Sequence, residues 1–323
     1  MKQKLLFVCG FPSGGTDLTK TVINAHPEIN LSGEMPFLVN LLKEGYDHNS
    51  RFSTIEEIDA VKDILRAGDT WTNIRNLDYD FAPLLKEKEA LSLTEVMSHL
   101  FVSEYSTVWG NKTPQNTENM LRLHQLFPEA YFLIVTRDVR DTSLSWSKKW
   151  GKSMLWCADK WNRRMQQGII DSRIINTDRT LFIKFEDLLS DSQTTCQSIC
   201  SFLGLTFSEQ MLEHDKHTKE NLDGKLNYGK ALKSDNQNKW RAAMSTGKAK
   251  RIEEIAYDAM SNLGYKHELA TFSQCISRIE RLRGKVNDMY ALLFVGNRAL
   301  KNNTFGYRIN NVLHEVHKKI NMR

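Results

Sequence analysis

Lys4-Leu-Leu-Phe-Val-Cys-Gly-Phe-Pro-Ser-Gly-Gly-Thr-Asp-Leu-Thr-Lys20 is the stretch on which the fold turns. Leu5 to Cys9 form an apolar, β-prone run without polar interruption, as expected of a strand buried on both faces of a parallel sheet. Gly10, Gly14 and Gly15 then allow a sharp turn and a close backbone approach. A helix opening at Thr16 aims its unpaired N–H groups and positive dipole end back into that turn, a geometry that holds phosphate or sulfate.

The spacing approaches an ATP-binding loop and departs from it at two positions. In G-x-x-x-x-G-K-[ST] the glycines match Gly10 and Gly15, but Thr16 and Asp17 stand where Lys and Ser/Thr belong. Without that lysine and the Mg²⁺-ligating hydroxyl, ATP or GTP chemistry is disfavoured. An ordinary strand–turn–helix corner or an anion site of another kind remains.

The 323 residues are 41% apolar, enough for one large core with a terminal appendage. No run reaches the about 18 apolar residues of a membrane-spanning helix. The run after Met1-Lys2-Gln3-Lys4 is too short for a signal peptide, so a cytoplasmic location is expected. Cys9, Cys157, Cys196, Cys200 and Cys275 lack disulfide-framework spacing, and Cys196 and Cys200 read as core residues of one helix. Net charge is +5, yet from Arg278 to Arg323 ten Lys/Arg face three acids, a local +7 that leaves the preceding residues at −2. The main body is therefore no polybasic nucleic-acid binder, and any basic surface function belongs to the tail.

Strand and helix signals alternate along the chain. Glu28 to Ser32 reads as a second strand ending at Gly33-Glu34, and 36–105 as mostly helical or irregular with Trp71 and Trp109 as core anchors. Tyr131 to Thr136 is the clearest strand, followed by a helix from about Arg140 to Lys149. Arg179 to Lys184 reads as a strand and Ser192 to Leu203 as a helix stopped by Gly204. The alternation predicts an α/β fold, a parallel β-sheet flanked by helices. Ligands in such sheets sit beyond the carboxyl ends of the strands, which puts the Gly-rich loop, Glu34 and Thr136-Arg137 on one rim.

Four segments, in this order and spacing, resemble the PAPS-dependent sulfotransferases. They are the opening loop with Asn24-Ala-His-Pro-Glu28 and Gly33-Glu34; Trp109-Gly-Asn-Lys-Thr-Pro114; Phe127-Pro-Glu-Ala-Tyr-Phe-Leu-Ile-Val-Thr-Arg-Asp-Val-Arg-Asp-Thr-Ser-Leu-Ser145; and Leu181-Phe-Ile-Lys-Phe-Glu-Asp-Leu188 with Phe202-Leu-Gly-Leu205. The likeness runs over residues 3–265 and is nearest to the bacterial and tyrosylprotein-type branches. It implies a P-loop NTPase-like three-layer sandwich, with a sulfotransferase domain over 1–270 and a basic helical C-terminal extension over 271–323.

The resemblance also implies roles. PAPS carries a 5′-phosphosulfate and a 3′-phosphate, so two anion sites are needed. Ser13, Gly14, Gly15, Thr16 and Asp17 correspond to the 5′ loop. Arg137 and Ser145 correspond to the pair that holds the 3′-phosphate, a charge-assisted bond of about 1.5–3 kcal/mol; the alternative for Arg137 is a salt bridge with Asp138 or Asp141. Glu34 corresponds to the base for the acceptor hydroxyl, or else is a helix-start residue before Pro36. Lys112 corresponds to the lysine that neutralises charge on the bridging oxygen, or else is a solvated loop lysine. Asn238-Lys-Trp-Arg241 resembles the segment that closes over the nucleotide, with Trp240 stacking on or covering the adenine and Lys239 or Arg241 reaching a phosphate; Trp240 as a core anchor is the alternative. Residues 216–239 are polar, as a mobile lid would be. No metal is needed in this scheme. Related loops commonly carry Arg or Lys where Ser13 stands; Lys20 is the expected substitute, and Asp17 is expected to cap or to pair locally, as with Lys20.

The pairs His214/His217 and His314/His317 lack a third ligand by spacing and read as surface-helix histidines. The tail repeats Ile276, Ile279, Leu282, Val286, Met289, Leu292 and Leu293 at helical spacing, interrupted by Gly284, Gly296 and Gly306. It reads as core-packing or dimer helices, or as a basic face for membrane phospholipid or an anionic glycan. The expected reaction is direct, in-line sulfuryl transfer from PAPS to an acceptor hydroxyl, with PAP as product. A carbohydrate is the first acceptor expected, then a tyrosyl or lipid-linked hydroxyl. The competing readings are a Mg²⁺-dependent P-loop phosphotransferase and a PAP- or glycan-binding pseudoenzyme.

Overall fold

The apolar run becomes strand β1 (Lys4–Gly10), which leads into α1 (Thr16–Asn24) and β2 (Ile29–Ser32). Then come α2 (Asn40–Lys43), β3 (Arg51–Phe52), α3 (Ile55–Arg66), α4 (Ala82–Glu87), β4 (Leu91–Ser92), α5 (Leu93–Phe101), β5 (Val108–Lys112), α6 (Met120–Leu126) and β6 (Tyr131–Thr136). The rest is α7 (Val139–Trp150), α8 (Met154–Ile175), β7 (Thr180–Lys184), α9 (Phe185–Ser190), α10 (Ser192–Leu203), α11 (His214–His217), α12 (Trp240–Ala243), α13 (Thr246–Asn262) and α14 (Arg278–Tyr290). This is a computed structural model, and it describes residues 3–68, 74, 76–101, 106–217 and 236–291. Trp71, the 218–235 part of the expected lid, Leu292, Leu293, Gly296, Gly306, His314 and His317 lie outside the described residues.

Contacts divide the chain into two compact units, Met1–Thr136 with Gln167–Ser234, and Arg137–Gln166 with Asp235–Arg323. The first unit holds a parallel sheet in the order β2-β5-β1-β6-β7. The period of two along β1 sorts its residues cleanly between faces. Leu5, Phe7 and Cys9 join Trp109, Phe132 and Ile134 in one core, capped by Val61 of α3, Met97 of α5 and Leu123 of α6. Leu6 and Val8 join Val108, Leu133 and Val135 in the other, capped by Val22 of α1, Leu188 of α9 and Ile199 of α10. Each fully buried side chain of this size contributes about 1.5–3 kcal/mol, so both layers of helices are held firmly to the sheet.

The expected strands and helices appear with shifts of a residue or so, and elements not expected, among them β5 and the long helix α8, appear beside them. Trp109-Gly-Asn-Lys112 is not a loop but β5, a fully buried strand between β2 and β1. The 36–105 region also carries a small antiparallel ladder of β3 and β4. His214, expected at the surface, is buried.

The second unit packs α7, α12 and α13 around Leu144, Trp240 and Ala249. All five cysteines are free thiols. Cys9, Cys157, Cys196 and Cys200 are buried, whereas Cys275 is exposed. Burial pushes the Cys157 and Cys196 thiols up to about 12. No helix among the described residues is long and apolar enough to cross a membrane.

Candidate active site

The loop after β1 is shaped by its backbone. Gly14 N–H donates to the Phe11 carbonyl at 2.8 Å and closes a turn, while Ser13 sits in the left-handed region at φ 66°. Gly15, at φ 91°, immediately precedes α1, and a Cβ there would run into the Phe185 ring; conformation and space both demand glycine. Thr16 opens α1 buried, and Asp17 follows, where a carboxylate faces the positive end of the helix dipole.

Lys112, the last residue of β5, lies in register with Val8 of β1 and is fully buried. Its Nζ meets Asp17 Oδ1 at 2.5 Å and Glu34 Oε1 at 2.6 Å. Burial pulls the ammonium's pKa down, but the charges of Asp17 and Glu34 outweigh it and leave the net shift upward. Lys112 is thus a permanent buried cation. Its two carboxylate partners stay within reach of solvent, with side chains 59% and 31% exposed.

A polar lattice holds this cluster in place. The Ser32 hydroxyl donates to Gly110 O at 3.0 Å, and Met35 N–H donates to Thr113 Oγ1 at 2.8 Å, which fixes the backbone on both sides of Glu34. The Thr113 hydroxyl donates in turn to Asn111 Oδ1 at 2.9 Å, and Thr117 donates to Gly10 O at 3.0 Å. Asn111, Thr113 and Thr117 are buried positioning residues not anticipated from the sequence, although the consecutive polar residues of Asn-Lys-Thr-Pro were an available signal for the first two. Asp17 finds Lys112 as a partner from a distant strand, which corrects the expectation of a purely local pairing. Lys20 is 4% exposed on α1.

In the second unit, Arg137 is 6% exposed and its Nη2 donates to the Asn236 carbonyl at 2.9 Å. Both acids named as its alternative partners also meet other groups. Asp138 caps α7 by accepting Arg140 N–H and takes the Arg140 guanidinium. Asp141 accepts Trp240 N–H at 2.9 Å; burial raises its carboxyl, with the Arg137 charge opposing. Arg140 also reaches Glu253 Oε1 at 2.5 Å, and Glu253 Oε2 accepts the N–H groups of Glu268, Leu269 and Ala270. Ser145 is half-buried on α7. Trp240 is 5% exposed, with the Arg140 and Arg241 guanidiniums 4.2 and 4.7 Å from its ring centre. Lys239 beside it is exposed. Among the described residues no group of three or more His, Cys, Asp or Glu is arranged to hold a metal.

The pattern of the sulfotransferase family matches residues 6–209. The chain belongs to the sulfotransferase family. Among sulfotransferases of known name it is 22% identical over 225 residues to protein-tyrosine sulfotransferase 2 of Gallus gallus, covering 67% of this chain and 55% of the relative. It is 23% identical over 222 residues to protein-tyrosine sulfotransferase A of Caenorhabditis elegans, covering 65% and 52%. The chain thus spans about half the length of the curated relatives it matches. Two solved sulfotransferase domains share its fold. That of the Synechococcus PCC 7002 olefin synthase has a TM-score of 0.58 at 16% identity, covering 83% of this chain and 98% of that one. That of the curacin biosynthetic pathway has a TM-score of 0.55 at 14% identity, covering 83% and 99%.

Proposed function

We propose that this chain moves a sulfuryl group from PAPS to an acceptor hydroxyl, with Glu34, Lys112 and Asp17 at the reacting centre. The observation that carries the reading is the buried Lys112 ammonium at the carboxyl end of β5, paired with both Glu34 and the residue that follows the Gly-rich loop. The loop suits an anion, because it turns through Gly14 and Gly15 directly into the α1 N-terminus. When bound, PAPS supplies the sulfuryl group and an adenosine bisphosphate leaving group. Glu34 takes the proton of the acceptor hydroxyl. Lys112 presents fixed positive charge to the oxygen on which charge develops, an effect of about 10²–10³ in rate for one such donor. Arg137 and Ser145 are assigned to the 3′-phosphate, and buried Lys20 to the 5′ side where Ser13 offers no charge. Asp17 contests Lys112 with the incoming anion, so binding requires that pair to loosen. The names of the relatives favour a tyrosyl hydroxyl over the carbohydrate first expected.

The test is calorimetric titration with adenosine 3′,5′-bisphosphate and with ATP, without divalent cations, followed by transfer assays on a tyrosyl peptide and an oligosaccharide. Tight binding of the bisphosphate and sulfation of the peptide are expected; preference for ATP would overturn the reading. A second reading, a nucleotide-binding protein without transfer, is favoured by Ser13 and Asp17 at the loop. Bisphosphate binding with neither acceptor sulfated would establish it.

A further inference from the structure

Helix α14 is used unequally by its own unit. It opens with a capping box, in which Ser277 Oγ accepts Glu280 N–H and the Glu280 carboxylate accepts Ser277 N–H. Its inner side is fully engaged. Glu280 takes the Arg251 guanidinium fork with both contacts at 2.8 Å, and Asp288 accepts Ser153 N–H at 2.9 Å and lies 3.6 Å from Lys160. Asn287 donates to Gly151 O, and Gly284 is buried where a Cβ would meet Trp156.

The other side carries Ile279, Leu282, Val286 and Met289, which are 64%, 63%, 52% and 57% exposed. At about 100° per residue these four fill an arc of about 80°. Arg283 stands beyond exposed Tyr290 at one edge, and Arg278 and Lys285 just beyond the other; all three cations are exposed, with the Lys285 ammonium also 5.7 Å from the Trp156 ring centre. Both acids of the helix lie on the engaged side, so the only charges of the helix at the rims of the apolar arc are cations. One exposed leucine needs no explanation, but four in register do.

Charge decides between occupants. A second copy of this face, paired isologously, would bring cationic rims together with no carboxylate to meet them. An anionic bilayer answers both features, with acyl chains for the arc and phosphates for the rims. The sequence beyond adds six Lys/Arg against the single acid Glu315. We infer that α14 lies in the interface of an anionic membrane, with Ile279, Leu282, Val286 and Met289 in the acyl boundary and Arg278, Arg283 and Lys285 on headgroup phosphates. This attachment is independent of the reaction proposed above. One short helix gives reversible, salt-sensitive binding rather than permanent anchoring.

The test is flotation of the full chain with phosphatidylcholine vesicles and with vesicles containing about one third phosphatidylglycerol. Binding to the anionic vesicles alone is expected, weakened by salt. Leu282→Gln with Val286→Gln should lower partitioning about tenfold or more, and Arg283→Gln or Lys285→Gln about fivefold each, with unchanged circular dichroism. Failure to bind anionic vesicles, or binding indifferent to these substitutions, overturns the inference. Loss of a solution dimer in the Leu282→Gln, Val286→Gln variant with vesicle binding intact also overturns it, in favour of a second copy.

Discussion

At Lys112 the buried charge and its two partners are unequally exposed, and this makes the cluster separable by mutation. Lys112→Met keeps the shape and deletes the cation; Asp17 and Glu34 then rehydrate, because their side chains already meet solvent. Stability should fall by only about 1 kcal/mol in urea titration, while transfer should fall by about 10²–10³. A stability loss without a rate loss would make the lysine structural. Asp17→Thr removes a like charge beside the anion loop, a gain on the order of 1 kcal/mol at a partly exposed site. Affinity for adenosine 3′,5′-bisphosphate should therefore rise about fivefold in calorimetry. Unchanged affinity would show that Asp17 does not contest Lys112.

Among the elements, those whose burial matches their composition were legible. β1 and β6 are apolar runs, and α10 ends at a glycine in the left-handed conformation, so each was read nearly to the residue. β5 was not, because its end carries Asn111 and Lys112, which look solvated until Thr113, Asn116, Asp17 and Glu34 are placed around them. Asp17 and Glu34 come from elements distant in sequence, and no local pattern encodes their meeting with Lys112. Glu34 and Lys112 could be singled out by resemblance, but their direct contact could not. At α14 the periodicity was legible and the outward direction of its apolar face was not, since that depends on Gly284 seating against Trp156. The anchor of this helix has a pH signature. Hydrogen bonds from Arg251, working against burial, hold the Glu280 carboxyl down at about 2, whereas in an unfolded chain it titrates at about 4.3. Its folded pKa is depressed, so its stabilisation is complete above the unfolded value and is lost as pH falls toward 2. Glu280→Gln should loosen α14 at neutral pH and abolish the acid-induced step that circular dichroism is expected to record in the parent.

On the scale of the whole molecule, each unit is assembled from two separate stretches of chain, so each depends on contacts between residues far apart in sequence. In the second unit, Arg140 joins the stretch after β6 to α13 through Glu253, which is fully buried. Arg140→Met leaves that carboxylate without its cation and should cost about 3–5 kcal/mol, read as an early unfolding transition in urea. A loss under 1 kcal/mol would mean that the three backbone N–H groups on Glu253 suffice. The distribution of cysteines has a practical consequence for following such changes. Four thiols are enclosed and the fifth, Cys275, stands in solvent two positions ahead of Ser277. A maleimide dye added to the unmodified protein will therefore settle at a single place, the root of α14. Its emission then becomes a built-in gauge of that helix, changing on acidification as the Glu280 anchor releases and on addition of anionic vesicles as the helix meets lipid.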